Sequence, residues 1–364
     1  YVTNKEETRS DLANATVSNS TTKSLTVNTE LLARYNTDFN KSEHDLGVIL
    51  GYTTSHFQSD GFSVSKKGAT DWSLDQLSTY ELLMSAGSSF SEWALQSYFG
   101  RVNYAFKDRY LLEANLRIDG SSRFAAGHRY GYFPSFSAGW RISEEKFMKQ
   151  FDNLSNLKLR ASWGQLGNNA SGNYDWQALY AAVNVVMEGN PVKGLHQAKA
   201  ANENLKWETT TTTNVGIDFG VFNNKLSGSF DIYDKFTDGI LFTPTQYLTM
   251  GTVPGATQNI AQVRNRGLEL SLTYMDKIGD DFNFSITTNW AYNKNKVVKY
   301  KGKLEEYWIY DDQGNKSSYY TNRGDVVQSG FGGVICEGHP IGETSIRRIY
   351  KGTGTGYTGG MVDP

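Results

Sequence analysis

The run Tyr98-Phe-Gly-Arg-Val-Asn-Tyr-Ala-Phe106 is followed, after Lys107-Asp-Arg109, by Tyr110-Leu-Leu-Glu-Ala-Asn-Leu-Arg-Ile118. Tyr98, Gly100, Val102, Tyr104 and Phe106 share one parity, against Phe99, Arg101, Asn103 and Ala105. In the second run Tyr110, Leu112, Ala114, Leu116 and Ile118 stand opposite Glu113, Asn115 and Arg117. A period of two puts successive side chains on opposite faces of a strand. A gap this short between two such runs leaves room only for a hairpin turn. The stretch therefore reads as an antiparallel hairpin with one apolar and one polar face.

The same alternation recurs outward from this hairpin. Leu157, Leu159, Ala161 and Trp163 oppose Lys158, Arg160 and Ser162; Val215, Ile217, Phe219 and Val221 oppose Asn214, Gly216 and Asp218. Leu226, Phe230 and Ile232 oppose Ser227, Ser229 and Asp231, and Leu268, Leu270, Leu272 and Tyr274 oppose Glu269, Ser271 and Thr273. Phe282, Phe284, Ile286, Trp290 and Tyr292 complete the series. About ten strands follow from this pattern: 21–36, 44–58, 94–106, 110–120, 130–142, 156–168, 211–221, 226–238, 264–275 and 282–296. Most reach the roughly nine to eleven residues of a tilted membrane strand, whereas soluble strands average about five or six.

Connections alternate in length. The short ones are 37–43, 107–109, 143–155, 222–225 and 276–281; the long ones are 59–93, 121–129, 169–210, 239–263 and 297–364. The alternation is imperfect, because 143–155 exceeds 121–129. Outer-membrane barrels have short periplasmic turns and long extracellular loops. Tyr35, Phe106, Tyr110, Phe219, Tyr274 and Phe282 flank the short turns, and Tyr52, Tyr98, Tyr132, Trp290 and Tyr292 lie toward the other strand ends. Amphipathic rings collect at the two membrane interfaces in this way. The expected fold is all-β, part of a large antiparallel transmembrane β-barrel, with residues 1–364 forming one partial barrel domain. Leu74, Leu77 and Leu82 fall at loosely helical spacing and predict a short helix over 74–84.

Composition excludes several classes. A net charge of −2 offers no basic surface for nucleic acid. The lone Cys336 allows no internal disulfide framework. His44, His56, His128, His196 and His339 are scattered without metal-ligand spacing, so neither metal nor cofactor is expected. No apolar run reaches eighteen residues, which excludes a membrane helix but not a barrel. Glu144-Glu145 and Asp311-Asp312 are paired carboxylates, the residue type that glycosidase chemistry uses. Neighbours on a strand point oppositely and on a turn face water, so no catalytic residue and no enzyme is expected. Gly352 to Gly360 lacks the strand–helix context of a phosphate loop.

The binding candidates are loop aromatics. Trp72, Trp93, Trp176, Tyr180, Tyr247, Tyr307 and Trp308 lie in or beside long loops, where a flat ring can stack on a ligand, pack the loop or meet a partner. Trp176 is preferred because Tyr174 and Tyr180 accompany it, with Trp72 next. The polar strand face, carrying Glu113, Arg117, Lys158, Arg160, Asp218 and Glu269, should point inward.

Arg117-Ile-Asp-Gly-Ser-Ser-Arg-Phe124, Gly131-Tyr-Phe-Pro-Ser135 and Trp140-Arg-Ile-Ser-Glu-Glu145 follow one another in that order. Leu157-Lys-Leu-Arg-Ala-Ser-Trp-Gly-Gln-Leu-Gly-Asn168, Asn204-Leu-Lys-Trp-Glu-Thr209, Asn265-Arg-Gly-Leu-Glu269 and Glu337-Gly-His-Pro-Ile-Gly342 continue the series. This order resembles the SusC/RagA-type TonB-dependent transporters of Bacteroidetes, over roughly residues 94–342. From Glu343 to Tyr350 the pattern departs from the family's usual aromatic, Gly-rich continuation. The resemblance implies a barrel of about twenty-two strands around a plug in a Gram-negative outer membrane. It also implies a SusD-like surface lipoprotein as a hinged lid, TonB acting from the periplasm, and two transporter–lipoprotein pairs assembled as a dimer. The implied cargo is an oligosaccharide, or a peptide. Within the motif, Arg117, Asp119, Gly120, Ser121, Ser122, Arg123 and Phe124 are read as a loop-closing turn rather than a ligand site, since Gly supplies unusual backbone angles and Asp caps nearby amides. The sequence opens on Tyr1 and stops at Pro364, and no plug, TonB box or final strands are visible, so it reads as an internal part of a longer protein. The alternative functions are a siderophore or cobalamin receptor, against which the motif order argues, and a non-transporting surface glycan-binding β-protein, against which the loop parity argues.

Overall fold

The computed structural model describes residues 12–300, except 42, 72, 73, 75, 244–252, 254 and 280, together with 305–310, 316–321, 337–341, 348–349 and 362–363. The strands are β1 Thr16–Phe39, β2 His44–Ala69, β3 Tyr80–Phe106, β4 Tyr110–Ser121, β5 Tyr130–Arg141, β6 Leu154–Asn168, β7 Leu179–Met187 and β8 Asn190–Lys199. They continue as β9 Glu208–Val221, β10 Leu226–Phe242, β11 Gln258–Ile278 and β12 Phe282–Tyr300. Two small pairs follow, β13 Glu305–Tyr310 with β14 Lys316–Thr321 and β15 Arg348–Ile349 with β16 Val362–Asp363. Ten strands form one sheet in the order β1-β2-β3-β4-β5-β6-β9-β10-β11-β12. The step from β6 to β9 reflects an insertion, because β7 and β8 form a separate hairpin. Among the described residues the sheet does not close on itself: β1 and β12 are its two ends.

The tight turns explain why sequence neighbours pair. Lys107 and Asp108 adopt φ of 52° and 54°, and the Arg109 amide donates to the Phe106 carbonyl at 3.0 Å. Two central residues with positive φ make the mirror-image turn whose twist suits a hairpin. Phe222, Asn223 and Asn224 repeat the device between β9 and β10.

The register turns the alternation into continuous bands. Leu112, Ala138, Ala161, Val215, Ile232, Leu268 and Tyr292 are successive cross-strand partners from β4 to β12. Two residues toward the short turns lie Tyr110, Trp140, Leu159, Ile217, Phe230, Leu270 and Trp290. The row between them, on the other face, is Leu111, Gly139, Arg160, Gly216, Asp231, Glu269 and Ala291, and the next row of that face toward the long loops is Glu113, Ser137, Ser162, Asn214, Tyr233, Gly267 and Asn293. Among the described residues nothing covers the apolar band: Ile232 is 55% exposed, Trp290 67% and Tyr292 60%. Large apolar surfaces left in water are costly, so a hydrocarbon surround is the physical solution, and the polar face becomes the inner wall.

Two units divide the chain. The first takes the described part of Tyr1–Leu31 with Thr53–Gln96. In it Ser18 bonds Ser65, Ser24 bonds Ser59 and Ser55 donates to Asn28, all in a single antiparallel register. Phe57 stacks on Trp93 at 5.7 Å. The second unit, Leu32–Tyr52 with Ser97–Pro364, holds the rest of the sheet and the loops treated below.

Several expectations need correction. No helix spans 74–84; a single 3-10 turn, Leu77–Thr79, precedes β3 at Tyr80. Long-range strand pairing outweighs a weak local helical spacing. The long loop expected over 59–93 is mostly strand, since β2 runs to Ala69 and β3 starts at Tyr80. Likewise β10 and β11 reach into 239–263, β12 runs to Tyr300, and 169–210 contains β7, β8 and the start of β9. These strands overrun the membrane span, which periodicity in an apolar band cannot reveal because beyond the band both faces are wet.

Placing a cation in the apolar band tests this orientation. Val102→Arg and Leu116→Arg are each expected to lower the unfolding free energy by about 2–4 kcal/mol near the midplane, read by urea titration in phospholipid vesicles. Ser137→Lys, on the inner wall, is expected to cost far less.

Candidate functional site

On the inner face, charges meet as the register dictates. Arg160 on β6 donates to Asp218 on β9 at 2.9 Å and to Asp231 on β10 at 3.0 Å. Arg101 pairs with Glu113, and Asn115 donates to both Glu113 and Ser135. Arg160 and Glu113 border a cavity of about 500 Å³ lined also by Asn36, Asp45, Asn103 and Lys158. Of its charged lining residues, Glu113 and Arg160 are paired within the wall, and Asp45 and Lys158 bring one charge of each sign, so the lining offers hydrogen bonds rather than a strong field of one sign.

Toward the long-loop end the motif Arg117 to Phe124 takes shape. Arg117 donates from Nε to Asp119 at 2.8 Å and from Nη2 to Ser97 at 2.9 Å, and its guanidinium lies over the Phe99 ring. Asp119 is 7% exposed. At Gly120 an added Cβ would lie 2.6 Å from the Tyr130 ring, so a side chain there would displace the tyrosine. The Ser121 hydroxyl accepts from the Arg123 amide and from Asn169, and Arg123 reaches the Asn173 side chain at 2.9 Å and the Asn169 carbonyl at 3.2 Å. Ser122 lies in the turn that follows β4. Phe124 is fully buried, 5.4 Å from Trp207.

Trp207 is the hub of this rim. Its indole N–H donates to the Arg129 carbonyl at 2.8 Å, and Phe133 meets its ring edge-on at 5.4 Å. Phe133 lies so close to β5 and β6 backbone that a Cβ at Gly131 or Gly167 would come within 2.4 or 2.0 Å of its ring. Aromatic pairs of this geometry add stabilisation beyond area burial.

A second knot joins three loops. Asp175 accepts from the Thr257 hydroxyl and the Gly172 amide, each at 2.8 Å, and from Lys199. Asn202 donates to the Thr257 carbonyl at 2.7 Å. Burial alone would raise the Asp175 pKa, but Lys199, Thr257 and Gly172 together hold it below the ordinary carboxylate range. Burial lowers the Arg123 pKa, with Asp175 pulling the other way. At the opposite end, in the turn after β5, Glu145 accepts from the Tyr110 hydroxyl at 2.6 Å, from Trp140 and from Arg109. These partners hold its carboxyl below the ordinary range. This gives the Trp140–Glu145 motif a mechanical reading as a clamp on the turn.

Of the aromatic candidates, Tyr174 and Trp176 flank Asp175 and are half-buried, and Tyr180 is 66% exposed on β7. Trp93 lies on β3 and Tyr307 and Trp308 on β13. Trp72, Tyr247, Cys336, Asp311, Asp312 and Gly352–Gly360 lie outside the described residues. The sequence reading missed Asp175, Phe133 and Trp207 as anchors; the glycines at 131 and 167 were the available signal for Phe133.

The chain matches the family model described as TonB dependent receptor-like, beta-barrel, over residues 1–335. It is 33% identical over 306 residues to the TonB-dependent receptor SusC of Bacteroides thetaiotaomicron, covering 82% of this chain and 29% of that one. It is 34% identical over 292 residues to the TonB-dependent receptor P3 of Formosa agariphila, covering 79% and 29%. The chain thus spans under a third of the length of these relatives. Among solved structures, the RagAB peptide transporter superposes with a TM-score of 0.79 at 26% identity, over 92% of this chain and 34% of that one.

The Asp175 knot predicts a pH response. Its folded pKa is depressed, so its contribution is present above the unfolded carboxylate pKa and is lost as pH falls through the folded value. Hydrogen exchange in 199–207, corrected for intrinsic rates, is expected to quicken on acidification. Asp175→Asn is expected to show that loosening at neutral pH, by about 1–3 kcal/mol of local opening free energy, and to flatten its pH dependence.

Proposed function

This chain belongs to the TonB-dependent receptor-like β-barrel family and is of the SusC and RagA type, and from that premise we propose that it forms part of the wall and rim of an energised outer-membrane importer of oligosaccharides or peptides. Members of the family are receptors and transporters in the outer membrane rather than enzymes. In this reading residues 1–364 are one portion of the barrel domain. A SusD-like lipoprotein caps the long-loop end, two such pairs form the dimer, and TonB acts through parts of the protein beyond this segment.

The observation that carries the reading is the rim. Loops 122–129, 169–178 and 199–207 and the strand end at 255–257 are cross-linked by Arg123, Asp175, Asn202 and Trp207 into one frame above a polar inner wall. A fixed rim presents loop side chains to cargo while the strands satisfy pairing and lipid contact. Arg117, Asp119, Gly120, Ser121, Ser122, Arg123 and Phe124 serve that frame, and Trp176, Tyr174, Tyr180 and Trp72 are the residues proposed to touch cargo. The self-paired inner charges favour a polar cargo of low net charge, which oligosaccharides and many peptides satisfy. The peptide class is supported by the name of the RagAB transporter, and both classes suit stacking on Trp176.

The test uses the intact protein with its lipoprotein, titrated with a defined oligosaccharide pool and, separately, a tryptic peptide pool. Trp176→Ala is expected to weaken binding of one pool by about 1 kcal/mol or more, with barrel insertion unchanged. Equal affinity in wild type and variant, with assembly intact, removes Trp176 from the site. Uptake of the bound pool is expected to stop when a protonophore collapses the inner-membrane gradient.

A further inference from the structure

The outward face changes character abruptly on β10 to β12. Ile232, Leu268 and Tyr292 form one apolar row. The next row of the same parity toward the long loops is Asp234, Arg266 and Lys294, and the one beyond it is Phe236, Arg264 and Lys296. Equal parity keeps these side chains on the lipid side of the sheet. On β12 the apolar band runs from Phe282 to Tyr292, about the length a tilted strand needs to cross the hydrocarbon. Trp290 and Tyr292 mark its edge, so the cations begin where the outer leaflet's headgroups lie.

Their arrangement carries an electrostatic cost. Arg266 faces Lys294 and Arg264 faces Lys296 directly, and like charges opposite each other on a sheet destabilise it. One carboxylate answers both arginines: Asp234 accepts from Arg264 Nε at 2.8 and 3.0 Å and from Arg266 Nε at 2.9 Å. Asp238, next on this face, accepts from Gln262. Lys294 and Lys296 are exposed and have no ion-pair partner among the described residues, and Lys299, paired with Gln262, is exposed beside them. The patch therefore holds more cations than its carboxylates balance.

We infer that Arg264, Arg266, Lys294 and Lys296 form a binding site for the phosphate of an outer-leaflet lipid headgroup. Phosphate oxygens accept charge-assisted hydrogen bonds from guanidinium and ammonium donors. A phosphate anchored by acyl chains reaches a patch at the hydrocarbon edge with its chains lying on Ile232, Leu268 and Tyr292, which a soluble anion cannot match. The bound phosphate separates the facing cation pairs and offsets their repulsion. The inference rests on the membrane placement of the barrel and not on its cargo.

The experiment takes the intact transporter in neutral detergent and titrates it with lipid A, with dephosphorylated lipid A, and with inorganic phosphate as competitor, reading bound lipid by native mass spectrometry. The Lys294→Gln/Lys296→Gln double variant is expected to bind lipid A roughly 10- to 30-fold more weakly and to leave the dephosphorylated lipid unchanged. Asp234→Asn, which releases both guanidiniums, is expected to bind lipid A more tightly. Heat-modifiable gel migration checks that each barrel is folded. Unchanged lipid A affinity in both variants overturns the site, as does an equal loss for the dephosphorylated lipid. Displacement of lipid A by an equal concentration of inorganic phosphate overturns the lipid as its ligand.

Discussion

Within hydrocarbon no water is present to satisfy a backbone N–H or C=O, so every such group must find its partner in the protein. The rest of this structure depends on that constraint. It explains why ten strands pair in one continuous antiparallel ladder and why the turns at one end are tight. It also makes the two ends of the sheet significant. Segment 337–341 bonds to the outer edge of β12 at Val297, which donates to the His339 carbonyl and accepts from the Gly338 amide, each at 2.8 Å. Those contacts satisfy part of the β12 edge outside the apolar band.

Once the ladder exists, the period of two sorts the chemistry. One face takes Leu, Ile, Val and aromatic rings into lipid. The other collects charge, and there the register decides which charges meet: Arg160 lies between Asp218 and Asp231 because β6, β9 and β10 align those positions. Neutralisation within the wall leaves a lining of hydrogen-bonding groups. Positions free of both constraints then lie at the rim, where backbone is clear of lipid and side chains need not alternate.

The rim shows how loops of low regularity become a frame. The buried rings of Phe124 and Phe133, packed against the half-buried Trp207, supply the packing, and a few satisfied polar groups supply direction. A buried polar network is stable only when its members are paired, and Asp175, with three donors, meets that condition. The motif from Arg117 to Phe124 runs from the inner wall into this frame, so its conformation links the two.

The sequence alone determined the strands, their faces and the alternation of short turns with longer connections. Those features are written locally: in the parity of neighbours such as Leu112 and Glu113, and in turn residues such as Lys107-Asp108. Resemblance of ordered motifs supplied the family. The tertiary structure alone decided how far the strands run past the membrane, the β7–β8 hairpin, the partners of Arg160 and Asp175, and the packing of Trp207 against Phe124 and Phe133. Each of these depends on residues distant in sequence brought together by register or loop packing, and neither leaves a periodic trace in the chain. Trp207 and Trp176 look alike as loop aromatics; only the placement of Phe124, Phe133 and the Arg129 carbonyl makes the first a structural anchor. The same holds for Lys294 and Lys296, whose repulsive partners Arg266 and Arg264 are fixed only once β11 and β12 are in register.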